Sequence, residues 1–159
     1  MITKEKLNTI LEEMPDKVCL NGSVEWYTKP LTKKSWFKMK DKTDILESIP
    51  DEALEESQLS IKYDNASFCN QGETPSIEDY EQLFNECKII TVEDDGGVLL
   101  KKDGKYIYFS EGEYWTSSFE RNDVGQILPI HIVISKSGIE SSKKQGFRSL
   151  LNIMPIKKL

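Results

Sequence analysis

The sequence predicts an α+β domain, because two helix-forming segments are combined with a long run of β-prone segments. Thr3 and Ser76 each precede a stretch with helical apolar periodicity, and both residue types are suited to cap a helix. After residue 87, short apolar or alternating stretches are separated by turn residues, a pattern typical of strands. The chain has 159 residues, enough to bury a core without a disulfide or a metal.

The first 60 residues predict a helix followed by a hairpin. The helical face recurs at i, i+3, i+4 and i+7 and consists of Leu7, Ile10, Leu11 and Met14. Asn21-Gly22 separates two β-prone stretches, residues 18–20 and 24–27, which is a strong hairpin signal. We expect residues 1–60 to form an elaborated helix–hairpin segment that packs on a domain formed by residues 61–159.

The middle of the chain changes from basic to acidic. Residues 29–42 are basic and contain Trp36 and Phe37, so they form either a loop anchored in the core or a site for single-stranded nucleic acid. We favour the loop, because acidic sequence follows at once. Residues 43–57 indicate a solvated helix face, and residues 59–63 alternate as in a half-buried strand.

The remaining elements are predicted from local signals. Ser76 and Asp79 have the spacing of a capping box for a helix that runs to about Glu86. This helix would bury four residues: Ile77, Tyr80, Leu83 and Phe84. Strands are predicted at residues 88–92, 98–101, 106–109, 114–118, 127–134 and 146–153. Pro129 places the start of the fifth of these strands at an edge or an irregularity.

Composition restricts the class of protein. The net charge is −6, from 27 acidic and 21 basic residues without a basic stripe, so direct nucleic-acid binding is disfavoured. No apolar run approaches the roughly 18 residues of a membrane helix. The N-terminus does not have the pattern of a signal peptide. We therefore expect a soluble cytoplasmic protein, or an extracellular one if a leader has been removed.

The three cysteines do not have the spacing of a zinc site. Cys19, Cys69 and Cys87 are far apart and odd in number, so we expect buried or half-buried thiols. A bridge between Cys69 and Cys87 stays open as an alternative in an oxidising compartment.

Several segments of the second half match motifs of a known family in order and spacing. They are the helix at residues 75–83 (Pro-Ser-Ile-Glu-Asp-Tyr-Glu-Gln-Leu), residues 107–109 (Ile-Tyr-Phe), residues 112–118 (Gly-Glu-Tyr-Trp-Thr-Ser-Ser) and residues 146–149 (Gly-Phe-Arg-Ser). Together they resemble the Fibrobacter succinogenes major paralogous domain, a bacterial branch of the C-type-lectin-like fold. The resemblance covers about residues 65–156 and implies a mixed antiparallel sheet with flanking helices. The closing motif is also similar to variable proteins of diversity-generating retroelements and to formylglycine-generating-enzyme-like domains.

The chain departs from this family at two places. Gly72-Glu73-Thr74 replaces the family's Trp-Arg before the helix, and only Ser110-Glu111 stands where relatives have a long insertion. The calcium motifs of sugar-binding C-type lectins, Glu-Pro-Asn and Trp-Asn-Asp, are not present in the sequence. Calcium-dependent sugar binding is therefore disfavoured, and we expect no cofactor.

Candidates for catalysis are few. His131, the single histidine, lies within residues 130–134 and should be a half-exposed strand residue rather than a general base. Residues 93–97 (Glu-Asp-Asp-Gly-Gly) lack the ligand spacing of an EF-hand and predict a turn. The active-site cysteine pair of formylglycine-generating enzymes has no recognisable counterpart. We expect Trp115 to be a core residue, with a sugar-stacking role as the alternative, and we expect no enzyme. A pocket that brings two titratable groups within hydrogen-bonding reach would restore the enzyme hypothesis.

Two functions remain. The first is a non-enzymatic binding module that recognises a protein or another macromolecule through loops near the C-terminal strands, residues 119–123 and 141–145. The candidate ligand-binding residues are Arg121, Asn122, Asp123, Ser142, Lys143 and Lys144. The alternative is a small acidic inhibitor or immunity-type protein of a phage or mobile element that docks on a basic partner. Its acidic patch would consist of Asp51, Glu52, Glu55, Glu56, Glu93, Asp94 and Asp95.

Overall fold

A computed structural model of the chain describes residues 1–20, 24–29, 60–61, 75–125, 127–143, 151–152 and 156–158. Two helices lie in this part of the chain, α1 (Lys4–Glu13) and α2 (Ile77–Glu86). The strands are β1 (Lys17–Cys19), β2 (Val24–Tyr27), β3 (Ser60–Ile61), β4 (Lys88–Thr91), β5 (Val98–Lys102), β6 (Lys105–Phe109), β7 (Gly112–Arg121), β8 (Ile127–Ser135), β9 (Gly138–Lys143), β10 (Leu151–Asn152) and β11 (Ile156–Lys158). The predicted α+β class is confirmed.

Both helices begin at the predicted caps. The Thr3 hydroxyl accepts a hydrogen bond from the Lys6 amide at 3.1 Å. At α2 the Ser76 hydroxyl accepts from the Asp79 amide at 3.1 Å, and the Asp79 carboxylate accepts from the Ser76 amide at 2.9 Å. These bonds satisfy amides that have no partner inside the helix, which fixes the residue at which each helix begins.

The strands form three sheets. The terminal sheet has the order β1-β2-β11, the small sheet β4-β5-β6, and the central sheet β3-β10-β7-β8-β9. The predicted hairpin of residues 18–27 is present as the antiparallel pair β1–β2. β11, near the end of the chain, pairs antiparallel with β2 and places Ile156 opposite Trp26. The terminal sheet therefore joins the described beginning of the chain to its end.

One aromatic cluster lies at the centre of the molecule. The Trp26 ring is 5.5 Å from the Tyr80 ring, and the Phe109 ring is 5.7 Å from the Tyr114 ring, measured between centroids. These residues, with Ile156, belong to a single buried core. The described hairpin within residues 1–60 thus packs into the same core as α2 and the central sheet.

A smaller cluster joins α1 to the small sheet. Leu7 of α1 packs with Val92 and Leu99, all of them buried. Ile2 adds a short parallel bridge at Val92, with its amide 3.0 Å from the Thr91 carbonyl oxygen. The apolar face of α1 therefore lies against the small sheet, and the segment before the helix extends that sheet.

The start of α2 is tied to β7 by residues of the Gly-Glu-Tyr-Trp-Thr-Ser-Ser segment. The Ile77 amide donates to the Ser118 hydroxyl at 3.1 Å, and the Ser117 amide donates to the Pro75 carbonyl oxygen at 2.9 Å. The Thr116 hydroxyl donates to the buried Ile130 carbonyl oxygen at 2.6 Å. The hydroxyls of Thr116 and Ser118 thus satisfy backbone groups of neighbouring elements.

The turn at residues 93–97 is also present. Asp94 has a φ of 55°, and the Asp95 carboxylate accepts from the Gly97 amide at 2.7 Å. A Cβ at Gly97 would lie 2.5 Å from the Phe109 carbonyl oxygen, so only glycine fits there. The turn joins β4 to β5, and Gly97 lies against the end of β6 with no room for a side chain.

Two strand predictions need correction. β7 is ten residues long, not the five predicted at residues 114–118, because its pairing with β8 continues to Arg121. β9 was not predicted, since its sequence, Gly-Ile-Glu-Ser-Ser-Lys, has little β propensity, yet it pairs with β8 over its whole length. Of the predicted strand 146–153 the structure describes Leu151–Asn152. Most of the basic segment 29–42 and all of the acidic segment 43–57 lie outside the described residues.

Candidate binding surface

The end of the β7–β8 hairpin extends beyond the described parts of the strands beside it. β7 and β8 pair from Gly112 opposite Ile134 to Arg121 opposite Ile127, with a register shift between Trp115 and Phe119. The pairing of β9 with β8 ends at Ile130, and that of β10 with β7 is at Tyr114. Among the described strands, the last stretch of this hairpin is therefore a two-stranded ribbon. Pro129 lies in this ribbon, beyond the reach of β9, as its lack of an amide proton predicts.

The turn of the hairpin is held by its own hydrogen bonds. The Val124 amide donates to the Asn122 side-chain oxygen at 3.1 Å, and the Gly125 amide donates to the Asn122 carbonyl oxygen at 2.9 Å. The Arg121 guanidinium donates to the Gly125 carbonyl oxygen at 3.0 Å. Gly125 has a φ of 81°, a conformation that glycine adopts without strain. Residues 119–123, predicted as a loop, are thus a strand end and an ordered turn.

Apolar side chains are exposed at this turn. Phe119 is 47% exposed and Val124 is 78% exposed. The Arg121 guanidinium carbon lies 5.8 Å from the Phe119 ring centroid, within the range of a cation–π contact. Among the residues whose side-chain exposure the structure describes, four large apolar residues are exposed, and the other two, Met1 and Ile89, are separate in sequence. The hairpin end therefore concentrates exposed apolar surface beside a positive charge.

The second group of candidate residues lies at the same end of the central sheet. Ser142 and Lys143 are the last residues of β9, not a loop as predicted, because both pair with β8. β7 and β9 are each antiparallel to β8, so their C-terminal residues lie at the same end of the sheet, near the start of β8. Lys143 is opposite Ile130, three residues along β8 from Ile127, which corresponds to about 10 Å. Lys144 lies outside the described residues.

The prediction that Trp115 is buried is confirmed, while the prediction that His131 is half exposed is wrong. Trp115 has no exposed surface, and His131, directly opposite it on β8, is 3% exposed. The imidazole Nε2 is 3.5 Å from a carboxylate oxygen of Glu113. Alternation misled the prediction because the centre of this sheet is buried on both faces: Tyr114 and Ile132, on the opposite face, are also buried.

An acidic cleft lies on another part of the surface. It has a volume of about 430 Å³ and is lined by Asp94, Asp95, Gly96, Glu111, Ser135, Lys136 and Ser137. Asp95 is already engaged, because it accepts hydrogen bonds from the Gly97 amide and from the Tyr108 hydroxyl. Of the proposed acidic patch, Asp51, Glu52, Glu55 and Glu56 lie outside the described residues. No group of three or more His, Cys, Asp or Glu side chains within the described ranges is placed to hold a metal ion.

The titratable groups with perturbed pKa values are structural in character. Burial raises the pKa of Cys87 to about 11, so this free thiol stays protonated at neutral pH. Burial also raises the pKa of Tyr80 and, together with the hydrogen bond to Asp95, that of Tyr108. At the surface, hydrogen bonds from Gln82 and Lys102 lower the pKa of Glu86. None of these four groups lies in the β7–β8 hairpin. Cys19 is likewise a free thiol, and Cys69 is outside the described residues.

The exposed Phe119–Arg121 contact was not anticipated from the sequence. Its local signal is the segment Asn122-Asp123-Val124-Gly125, whose Asn and Gly are turn residues between two β-prone stretches. Reading this segment as a hairpin turn would have extended β7 to Arg121. Phe119 and Arg121 would then lie on one face, since side chains two residues apart in a strand share a face.

Comparison of the chain with protein-family models, with curated proteins and with solved structures found no match. Within the residues that the structure describes, neither helix has the length and apolar character needed to cross a membrane.

Proposed function

We propose that the chain is a non-enzymatic binding module that recognises a protein or another macromolecule with the end of its β7–β8 hairpin. The observation that supports this function is the exposure of Phe119 and Val124 on an ordered turn, with Arg121 against the Phe119 ring. Aromatic and arginine side chains are enriched among the residues that dominate protein interfaces. Burying exposed apolar surface on binding contributes roughly 25 cal/mol of favourable free energy per Å².

The order of the turn supports the same proposal. Residues that must be fixed on binding reduce affinity by the entropy they lose. Here Asn122 and Arg121 already hold the turn by hydrogen bonds to Val124 and Gly125. The conformational cost of binding through this hairpin is therefore small.

The fold that we propose is C-type-lectin-like. It rests on the resemblance to the Fibrobacter succinogenes major paralogous domain described above. In relatives of that family the ligand face is formed near the C-terminal strands. The end of the β7–β8 hairpin and the C-terminal end of β9 lie at the same end of the central sheet, which is a suitable position for such a ligand face.

The proposal is tested by site-specific photo-crosslinking. A photoreactive phenylalanine analogue is placed at Val124, and a matched control carries it at Glu12, an exposed residue of α1. After irradiation in lysate of the native host, we expect a covalent adduct of defined mass from position 124 and none from position 12. Adducts from both positions, or from neither, would show that the hairpin is not the recognition surface.

A further inference from the structure

β9 is an outer strand of the central sheet, and its pairing leaves one row of backbone groups pointing outward. In the order β3-β10-β7-β8-β9, no described strand lies beyond β9. Ser135 pairs with Gly138 across a two-residue turn, so this pair exchanges the hydrogen bonds that close the hairpin. Because such pairs alternate along an antiparallel ladder, Glu140 bonds to β8, whereas the amides and carbonyls of Ile139 and Ser141 point away from it.

A groove lies beside this edge, between α2 and the face of β8 and β9. Its volume is about 350 Å³, and its lining consists of Ile77, Glu81, Phe84, Asn85, Ile132, Ile139 and Ser141. Ile139 and Ser141 are therefore the residues whose side chains line the groove and whose backbone groups face outward. Glu140, between them, is on the opposite face of the strand.

We propose that the β9 edge and this groove form a docking site for an extended peptide of another protein. The peptide adds as a strand next to β9, and one apolar side chain enters the groove against Ile139 and Phe84. Two features indicate this occupant. Outward amides two residues apart match the repeat of a strand, at about 6.8 Å. The single charged residue in the lining is Glu81, which favours a basic side chain beside the apolar one.

This mode of recognition separates affinity from specificity. Backbone hydrogen bonds to an open sheet edge supply affinity for any extended chain, and a pocket for alternate side chains supplies specificity. The site is distinct from the end of the β7–β8 hairpin, since its residues belong to α2, β9 and the part of β8 at Ile132 and include none of residues 119–125. Failure of one proposal therefore leaves the other intact.

The test uses phage-displayed random decapeptides selected on the immobilised full chain. We expect enrichment of peptides that combine an apolar residue with a nearby Lys or Arg. Ile139→Glu places a charged side chain in the groove where the apolar side chain of the peptide would bind. Ser141→Pro removes an amide that points away from β8 and leaves the hydrogen bonds between β9 and β8 in place. Each should weaken binding of the selected peptide at least about tenfold in fluorescence anisotropy. Glu12→Ser, a change at an exposed residue of α1, should leave the peptide's affinity unchanged.

A measurement on the wild-type chain makes the result independent of how well these variants fold. N-methylation of successive peptide amides should abolish binding at alternate positions only, because a paired strand presents every second amide to its neighbour. Three results would overturn the proposal. They are the absence of any selected peptide, equal tolerance of N-methylation at every position, and a stable dimer of the chain that Ser141→Pro dissociates. The last result would assign the edge to a second copy.

Discussion

Trp115 and Tyr114 are adjacent in β7, and both are fully buried although they point to opposite faces. Tyr114 packs into the aromatic core beside Phe109, and its hydroxyl donates to the Ser110 carbonyl oxygen at 2.9 Å. Trp115 is the cross-strand partner of His131 on the other face. Two consecutive large side chains thus fix β7 from both sides, which explains how a strand rich in Ser and Thr is held in register.

We expect Trp115→Ala to lower the free energy of unfolding by about 3–5 kcal/mol, as for other large aromatic truncations in cores. The physical reason is that the Trp115 side chain is fully buried, so its truncation leaves a cavity in the core. Urea unfolding followed by circular dichroism measures the change. The control is Phe119→Ala, which removes a half-exposed ring and should cost less than about 1 kcal/mol. Thermal unfolding of the same variant gives the contrary outcome: a decrease in melting temperature of less than about 2 °C would show that Trp115 is not structural.

His131 shows where residue-level reasoning from the sequence ends. Alternation with Ile130, Ile132 and Ile134 placed it on the opposite, wet face, although Val133 on that same face is also apolar. Which elements cover each face of the sheet depends on the tertiary fold, and the local pattern does not contain that information.

Among the helices and strands, the features that the sequence predicted correctly are those formed by residues close together in the chain. The caps of α1 and α2 use residues three positions apart, and the β1–β2 hairpin was predicted from Asn21-Gly22 between two β-prone stretches. By contrast, β9 forms because β8 offers it a pairing edge, and the extension of β7 depends on a register set by β8. The placement of the candidate residues followed the same division: of three residues expected in a loop, Arg121 lies at a strand end, and Asn122 and Asp123 lie in the turn that follows it.

Ser76→Ala should destabilise the protein by about 1 kcal/mol, within the range of about 0.5–2 kcal/mol for N-cap removal. The change leaves the Asp79 amide without its side-chain acceptor and breaks the capping box. The matched control is Ser76→Asp, which keeps an acceptor at the cap and should stay close to the wild type. The midpoint of urea unfolding measures both. Equal loss in the two variants would mean that the hydroxyl acts through another contact.

For the whole molecule, the decisive feature is that both ends of the chain meet in one core. β2 and β11 pair in the terminal sheet, and Trp26 and Ile156 pack with Tyr80 of α2. Thr28, just after β2, is buried and donates to the Pro15 carbonyl oxygen at 2.8 Å, while its own carbonyl accepts from the Tyr108 amide at 2.9 Å. None of these long-range contacts is evident from the local motifs. They place the N-terminal hairpin within the core that supports the central sheet.

The stability of the whole molecule should fall at alkaline pH. The pKa values of Cys87, Tyr80 and Tyr108 are raised in the folded state, chiefly by burial. A fold that favours the protonated form is stabilised fully below the unfolded pKa values, about 8.5 for Cys and 10 for Tyr, and loses that contribution as pH rises above them. Urea unfolding between pH 8 and 11 measures the decline.

The variant Tyr108→Phe isolates one of these groups. It removes the hydroxyl that donates to Asp95, so its stability at pH 8 should be lower and its decline between pH 9 and 11 shallower than in the wild type. Parallel declines in the two proteins would show that Tyr108 titrates in the folded state as it does in the unfolded state.

The most direct test of the proposed recognition surface is quantitative capture from the native host with three forms of the chain. The wild type is compared with Phe119→Ser/Val124→Ser and with Ile89→Ser, a control that removes an exposed apolar side chain of β4. All three should unfold at similar urea concentrations, because each replaced side chain is exposed. We expect at least one partner to be retained by the wild type and by Ile89→Ser and to be lost from the hairpin variant. An identical set of captured partners for all three forms would contradict recognition through the β7–β8 hairpin.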